Sequence, residues 1–213
     1  MTAPPRWDYL MAGDPRLVAT RDPARSRASL DGASLRTVAQ EQARDRVLEL
    51  LDHHGAGLAD RTTSPGHLTG SALVVDPSNE KILLLLHTKL RRWLQPGGHA
   101  DGDHELANVA LREAAEETGI EGLSVLVPAV DVDVHTVDHR DELGSHLHLD
   151  VRFLVVTPPG AQVRANHESL DQRWVDRSEL DEVVDEVGII RLADAGLEAL
   201  SQHPPGFHTT PSS

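Results

Sequence analysis

Glu113, Glu116 and Glu117 sit in a short segment of a 213-residue chain at a spacing that a helix would turn into one acidic face. At 100° per residue they fall within an arc of about 100°, while Leu111, Ala114, Ala115 and Thr118 take much of the opposite side. At separations near ~5 Å and an effective dielectric near ~20, each like-charged pair costs about 3 kcal/mol before screening. A sheltered face of this kind therefore needs positive charge. Arg112 supplies one unit, and hard divalent cations such as Mg²⁺ or Mn²⁺, which take oxygen ligands, supply more. Upstream, Gly97 and Gly98 allow close backbone approach and offer a carbonyl as a further ligand. Taken alone, the run EAAEE reads as an ordinary solvated helix face; its surroundings give it another meaning.

Residues 97–120 read GGHADGDHELANVALREAAEETGI. Gly98, Arg112, Glu113, Ala114, Glu116, Glu117, Gly119 and Ile120 stand at the spacing Gly-x5-Glu-x7-Arg-Glu-aliphatic-x-Glu-Glu-x-Gly-aliphatic, and the segment resembles the Nudix box. Six of these identities would align by chance about once in 10⁵ chains of this length. One position departs from the pattern: His104 stands where the box has its first Glu, with Glu105 one place later. In the family that Glu supports the Arg and the metal cluster, a role left here to Glu105 after a small loop shift, or to Asp101 or Asp103.

The resemblance implies an α/β (α+β) Nudix fold, a mixed β-sheet between helices, here with an N-terminal helical extension. It implies a pyrophosphohydrolase acting on acid anhydrides, which cleaves a diphosphate linkage in a small nucleotide or other nucleoside diphosphate linked compound. By the same resemblance Glu113, Glu116, Glu117 and the Gly97 carbonyl are the ligands of Mg²⁺ or Mn²⁺. Arg112 orients Glu113, and Glu116 or a downstream loop acid, Glu168 or Asp171, accepts the proton of a metal-activated water. His99, directly after Gly98, is placed to reach the bound diphosphate. The second reading is a ligand-binding or regulatory module of the same fold that lacks turnover, for which His104 is the sequence support.

The elements that must hold these residues follow from periodicity. A helix is expected over residues 104–118, ended by Gly119, and strands over 67–75 and 81–87, joined as a hairpin by Asp76-Pro77-Ser78-Asn79. Further strands are expected at 124–127, 130–137, 146–157 and 173–175, with a final helix at 189–200. An amphipathic helix over 34–54 either covers the substrate pocket or forms a homodimer interface. Residues 1–33, with Pro4, Pro5, Pro15 and Pro23, read as an irregular arm, and 56–66 as a linker. The domain reading is an arm and helix at 1–60, a Nudix domain at 61–202 and a flexible tail at 203–213.

Alternation along 146–157 sets His146, His148, Asp150 and Arg152 on one face, and along the preceding strand Asp131, Asp133 and His135. If the two strands pair, these residues form a polar patch able to bind phosphate or a transition metal, with Arg152 as a substrate contact. The plain alternative is a solvated face of the sheet.

Composition narrows the partners. With 34 acidic against 20 basic residues the net charge is −14, which repels long nucleic acids and anionic membranes; the expected partner is a small diphosphate. The absence of cysteine excludes disulfides, thiolate metal sites and a cysteine nucleophile. No run is long and apolar enough to span a bilayer, and the N-terminus lacks a signal peptide's apolar core, so a cytoplasmic location is expected. Aromatic residues are only 3% of the chain. That leaves Trp93 and Trp174 as the base-stacking surfaces near the site, and both are expected to pack in the core.

Overall fold

In the computed structural model, which describes residues 6–138, 144–164 and 169–206, two long strands form the spine. β2 (Gly66–Asp76) and β8 (Ser145–Val156) run parallel, in register from Gly66 opposite Leu147 to Val75 opposite Val156. Every other pairing is antiparallel. β1 (Asp8–Met11) lies on β6 (Ser124–Val127), β6 and β7 (Asp131–Asp138) lie on β8, and β3 (Lys81–His87) and β5 (Gly97–His99) lie on β2. β4 (Trp93–Leu94) and β9 (Ser169–Val175) then pair with β3.

Period-two alternation gives this mixed sheet two apolar faces. Leu68, Ala72, Val74, Leu83, Leu85, Phe153 and Val155 point to one core, which is closed by α1 (Pro23–Asp31), α2 (Val38–His54) and α3 (Leu106–Thr118). Leu73, Val75, Ile82, Leu84, Leu154 and Val156 point to the other, which is closed by α4 (Leu180–Val183) and α5 (Val187–Gln202). Trp174 packs against the first core and Trp93 against the second. Burying each leucine or isoleucine of these layers is worth about 1.5–3 kcal/mol. The mixed sheet between helices is the architecture expected from the sequence. Among the described residues no helix is long and apolar enough to cross a membrane.

Two segments differ from expectation. The N-terminal arm is ordered: β1 extends the sheet, and Leu10, Leu17 and Leu30 are buried in the first core. Pro15 and Pro23 start structure rather than break it. Pro23 opens α1 directly after Asp22, whose carboxylate accepts from the Ala24 N–H at 3.0 Å, the position where proline's missing N–H costs nothing. The expected linker likewise begins with a 3₁₀ turn, Gly55–Ala59, whose Leu58 and Ala59 are fully buried.

α3 is two residues shorter at its start than expected. It stops where the sequence says: Gly119 takes φ 63°, a left-handed conformation suited to glycine, and its N–H donates to the Ala115 carbonyl at 2.9 Å. Leu111, Ala114 and Thr118 are buried, whereas Ala115, expected on the same side, is exposed.

Candidate active site

α3 brings its carboxylates to the edge strand β5. A Cβ on Gly98 would stand 2.5 Å from the Glu113 carboxyl carbon, so only glycine lets the strand come this close. The Gly97 N–H donates to Glu117 Oε1 at 3.3 Å. Arg112 completes the arrangement: its Nη2 donates to Glu113 Oε1 at 2.9 Å and to the His99 carbonyl at 3.3 Å. One guanidinium thus fixes a carboxylate and the strand beside it. Glu116 is exposed one turn along from Glu113, and Glu117 is half-buried. The result is a carboxylate-rich edge with Arg112 beside it and backbone amide support.

The loop before α3 faces elsewhere. His104 is fully buried, its Nδ1 2.8 Å from Ser26 Oγ in α1 and its Nε2 3.1 Å from the Ala56 carbonyl. Because a carbonyl only accepts, Nε2 carries the proton. Ser26 Oγ also lies 3.0 Å from the His104 carbonyl. Glu105 pairs with Arg25, whose Nε donates at 2.9 Å, and burial raises its pKa while Arg25 opposes the rise. Asp103 accepts from the Thr20 and Glu105 N–H groups at 3.0 and 2.9 Å and from Asn108 Nδ2 at 2.8 Å. Asp101 pairs with Arg61, Nε to Oδ1 at 2.7 Å. His104, Asp103 and Glu105 are therefore engaged with groups other than the box carboxylates, whereas Asp101 and its partner Arg61 stay within electrostatic reach of Arg112 and Glu113.

The opposite face of the same strands is polar. β7 and β8 do pair, and their register continues into β2 as three rows: His135, His148 and His67; Asp133, Asp150 and Thr69; Asp131, Arg152 and Ser71. β5 adds His99 opposite Thr69. The face is not solvated at its inner end. Arg152 reaches Asp150 at 2.6 Å, Asp133 at 3.0 Å and Asp131 at 3.2 Å. Arg191 from α5 closes on Asp131 and Asp133 at 3.0 and 2.7 Å, and Gln40 from α2 on Asp131 at 2.7 Å. Thr69 and Ser71 hydroxyls donate to Asp150, each at 2.9 Å. Burial pushes the carboxyls of Asp133 and Asp150 upward, but the adjacent cations overcome it and hold both below the ordinary carboxylate value.

At the outer end of this face the histidines gather. The His67 ring centroid is 4.9 Å from that of His99, 4.9 Å from His146 and 5.1 Å from His148. Burial, with the neighbouring histidines, lowers His67 to about 4 and His148 to about 3. Both rings are neutral at pH 7.

Comparison with known proteins decides the family. The family model described as NUDIX domain matches residues 67–193, more than half of the chain. The chain belongs to the NUDIX family. It is 36% identical over 76 residues to the m7GpppN-mRNA hydrolase NUDT17 of Danio rerio, a match that covers 33% of this chain and 25% of that one. It is 27% identical over 112 residues to a probable DHNTP pyrophosphohydrolase of Lactococcus lactis, covering 52% of this chain and 66% of that one. Thus the NUDIX chain spans a quarter to two thirds of these relatives. Among solved structures, the E. coli dihydroneopterin triphosphate pyrophosphohydrolase superposes with a TM-score of 0.50 at 14% identity, covering 60% of this chain and 92% of that one. That likeness concerns the fold.

Within this NUDIX domain the structure brings together Gly97, Arg112, Glu113 and Glu117, with Glu116 beside them on α3. His99 joins them through its carbonyl, while its ring turns to the histidine face. Arg152, expected to touch substrate, has a side chain that is 4% exposed, with its donors engaged with three carboxylates and the Gly188 carbonyl. Glu168 lies outside the described residues, and Asp171 is exposed on β9, accepting from the Gln172 N–H at 2.8 Å. The residue that the sequence reading passed over is His67. Its signal was the alternation His67, Thr69, Ser71 against Leu68 and Ala72 along β2.

Proposed function

We propose that the chain is a Mg²⁺- or Mn²⁺-dependent NUDIX pyrophosphohydrolase that cleaves a diphosphate linkage in a small nucleotide or related nucleoside diphosphate compound. The observation that carries this reading is the carboxylate edge itself. Glu113 and Glu117 are drawn against Gly97 and Gly98, and Arg112 balances one of the charges. An all-oxygen donor set of this kind fits a hard divalent cation. Glu113, Glu116, Glu117 and the Gly97 carbonyl would hold it; bound there, it supplies charge neutralisation for the diphosphate and a water of lowered pKa.

The chain's own residues supply the rest. Arg112 fixes Glu113 in one orientation and ties α3 to β5 through the His99 carbonyl, which keeps the reacting groups in register. Glu116, the most exposed of the cluster, accepts the proton of the attacking water as the new P–O bond forms and the anhydride P–O bond breaks. The other half of the anhydride leaves as a phosphomonoester or pyrophosphate, the second product. His99 borders this edge and is proposed to meet the diphosphate through its strand, whereas Arg152 is assigned to the sheet and not to substrate. His104, the support for a module without turnover, has a different occupation in the α1 interface.

Phosphate release, coupled to pyrophosphatase and phosphatase, should be measured on a panel of nucleoside triphosphates, dinucleotides, nucleotide sugars and non-nucleotide diphosphates with Mg²⁺ or Mn²⁺. Turnover of one class is expected, and Glu116→Gln and Glu117→Gln should each abolish it while circular dichroism stays unchanged. Unchanged kinetics in both variants would remove the carboxylate edge from the mechanism.

A further inference from the structure

We propose that His67, His146 and His148 form a second metal site, selective for a borderline divalent ion of the zinc type and distinct from the carboxylate edge. One ring nitrogen from each lies within 4.8 Å of the others. A tetrahedral ion with metal–nitrogen bonds of about 2.1 Å places its ligands about 3.4 Å apart. The observed span thus needs to close by at most about 1.4 Å, a movement within reach of imidazole rotation.

His67 makes the strongest case. It is 1% exposed, and neither of its ring nitrogens has a hydrogen-bond partner. A buried imidazole left in that state costs free energy that a bound ion would recover. His146 is already oriented for ligation: its Nδ1 is 2.9 Å from the Gly144 carbonyl. That acceptor places the proton on Nδ1 and the lone pair on Nε2, the outer-sphere arrangement that metal-bound histidines use. The Nε2 atoms of His146 and His148 are buried.

Three neutral nitrogens favour zinc, cobalt or nickel over magnesium, whereas the box offers only oxygen. The two sites should therefore sort their ions by ligand chemistry. They meet at His99, whose carbonyl accepts from Arg112 and whose ring centroid is 4.9 Å from His67 and 5.3 Å from His148. A further nitrogen ligand is thus within the cluster. Three histidines with one further position are the arrangement of zinc sites that keep a place for water or substrate.

The test is Co²⁺ titration of the chelator-treated full chain, read by visible absorption, followed by displacement with Zn²⁺. Saturation at one equivalent is expected, with the absorption removed by Zn²⁺ and unaffected by excess Mg²⁺. Glu117→Gln should bind Co²⁺ as the parent does. His146→Ala, at a half-buried position, should weaken binding at least about tenfold, and His67→Asn should abolish it, with circular dichroism confirming that each variant is folded. No absorption in the parent chain would overturn the proposal. So would full affinity in both histidine variants, or loss in Glu117→Gln with retention in His146→Ala, which would move the ion to the carboxylate edge.

Discussion

Restoring the box's missing carboxylate by His104→Glu should harm this protein. His104 is fully buried and offers its Nε2 proton to the Ala56 carbonyl while its Nδ1 faces Ser26. Glutamate has no proton to give, so it sets two acceptors against each other. A carboxylate buried without a cation costs about 3–5 kcal/mol, while the carbonyl of Ala56, an exposed residue, turns to water at little cost. Asp103 and Glu105, themselves buried, add repulsion on either side. For a chain of this size each kcal/mol moves the melting temperature by about 2–4 °C, so a fall of about 6–20 °C is expected. His104→Gln, which keeps a donor for Ala56 and an acceptor for Ser26, should lose less than half as much. Thermal unfolding followed by circular dichroism measures both, and turnover of each variant is read alongside. A Glu variant that melts within about 2 °C of the parent and turns over faster would refute the reasoning, because His104 would then be a defect of the box and not an anchor for α1.

Gly98→Ala would push a Cβ against the Glu113 carboxylate at 2.5 Å; the flexible carboxylate should swing away, lowering metal-dependent kcat/KM at least about tenfold with little change in melting. Equal kcat/KM would show that the close approach is incidental. Arg152→Met would leave Asp131 and Asp150, 0% and 2% exposed, short of their shared cation, at a cost of about 3–5 kcal/mol. Urea unfolding at pH 7 showing a loss under about 1 kcal/mol would mean that Arg191 and the hydroxyls suffice alone. Glu105 titrates in the folded chain above its ordinary 4.5, chiefly through burial, so its contribution is full below that value and is lost as pH rises through the folded value. Glu105→Gln lacks this loss. Its stability relative to the parent should therefore climb between pH 4 and pH 8 in paired denaturation curves, and a difference that stays flat with pH would contradict the assignment.

How much of this was legible in the sequence depends on whether the deciding contact is local. The spacing of Glu113, Glu116 and Glu117 with Gly119 behind them defines α3 within two residues, because helix periodicity and a glycine cap act over a few positions. Two alternating runs gave the faces of β7 and β8 and made the row of charges conditional on their pairing, which the structure supplies. Alternation, however, says only which residues share a face and not what covers it. Arg191, 39 residues beyond Arg152 in the sequence, and Gln40 on α2 come from distant elements, and they turn a nominally solvated face into a buried network. His67 was missed for the same reason: its ring becomes significant only beside His146 and His148, which reach it through the parallel pairing of β2 with β8.

The variant position of the box and the ordered N-terminal segment have one physical cause. Thr20 gives its N–H to Asp103 and accepts from the His104 N–H at 2.7 Å, Arg25 holds Glu105, and Ser26 meets both the ring and the carbonyl of His104. Three consecutive residues before α3 are thus bound to a seven-residue stretch, Thr20 to Ser26, about 80 positions earlier. A glutamate at 104 would have no donor at Ala56, whereas histidine presents a donor and an acceptor on opposite edges of one ring. The same loop that sets the start of α3, and with it the reach of Glu113 and Glu117 toward β5, is therefore fixed from the N-terminal side. Residues 6–60 and α3 share this interface as well as the core formed by Leu30, Val47, Leu51 and Leu106. The start of α3 therefore rests on contacts from both the N-terminal elements and the sheet.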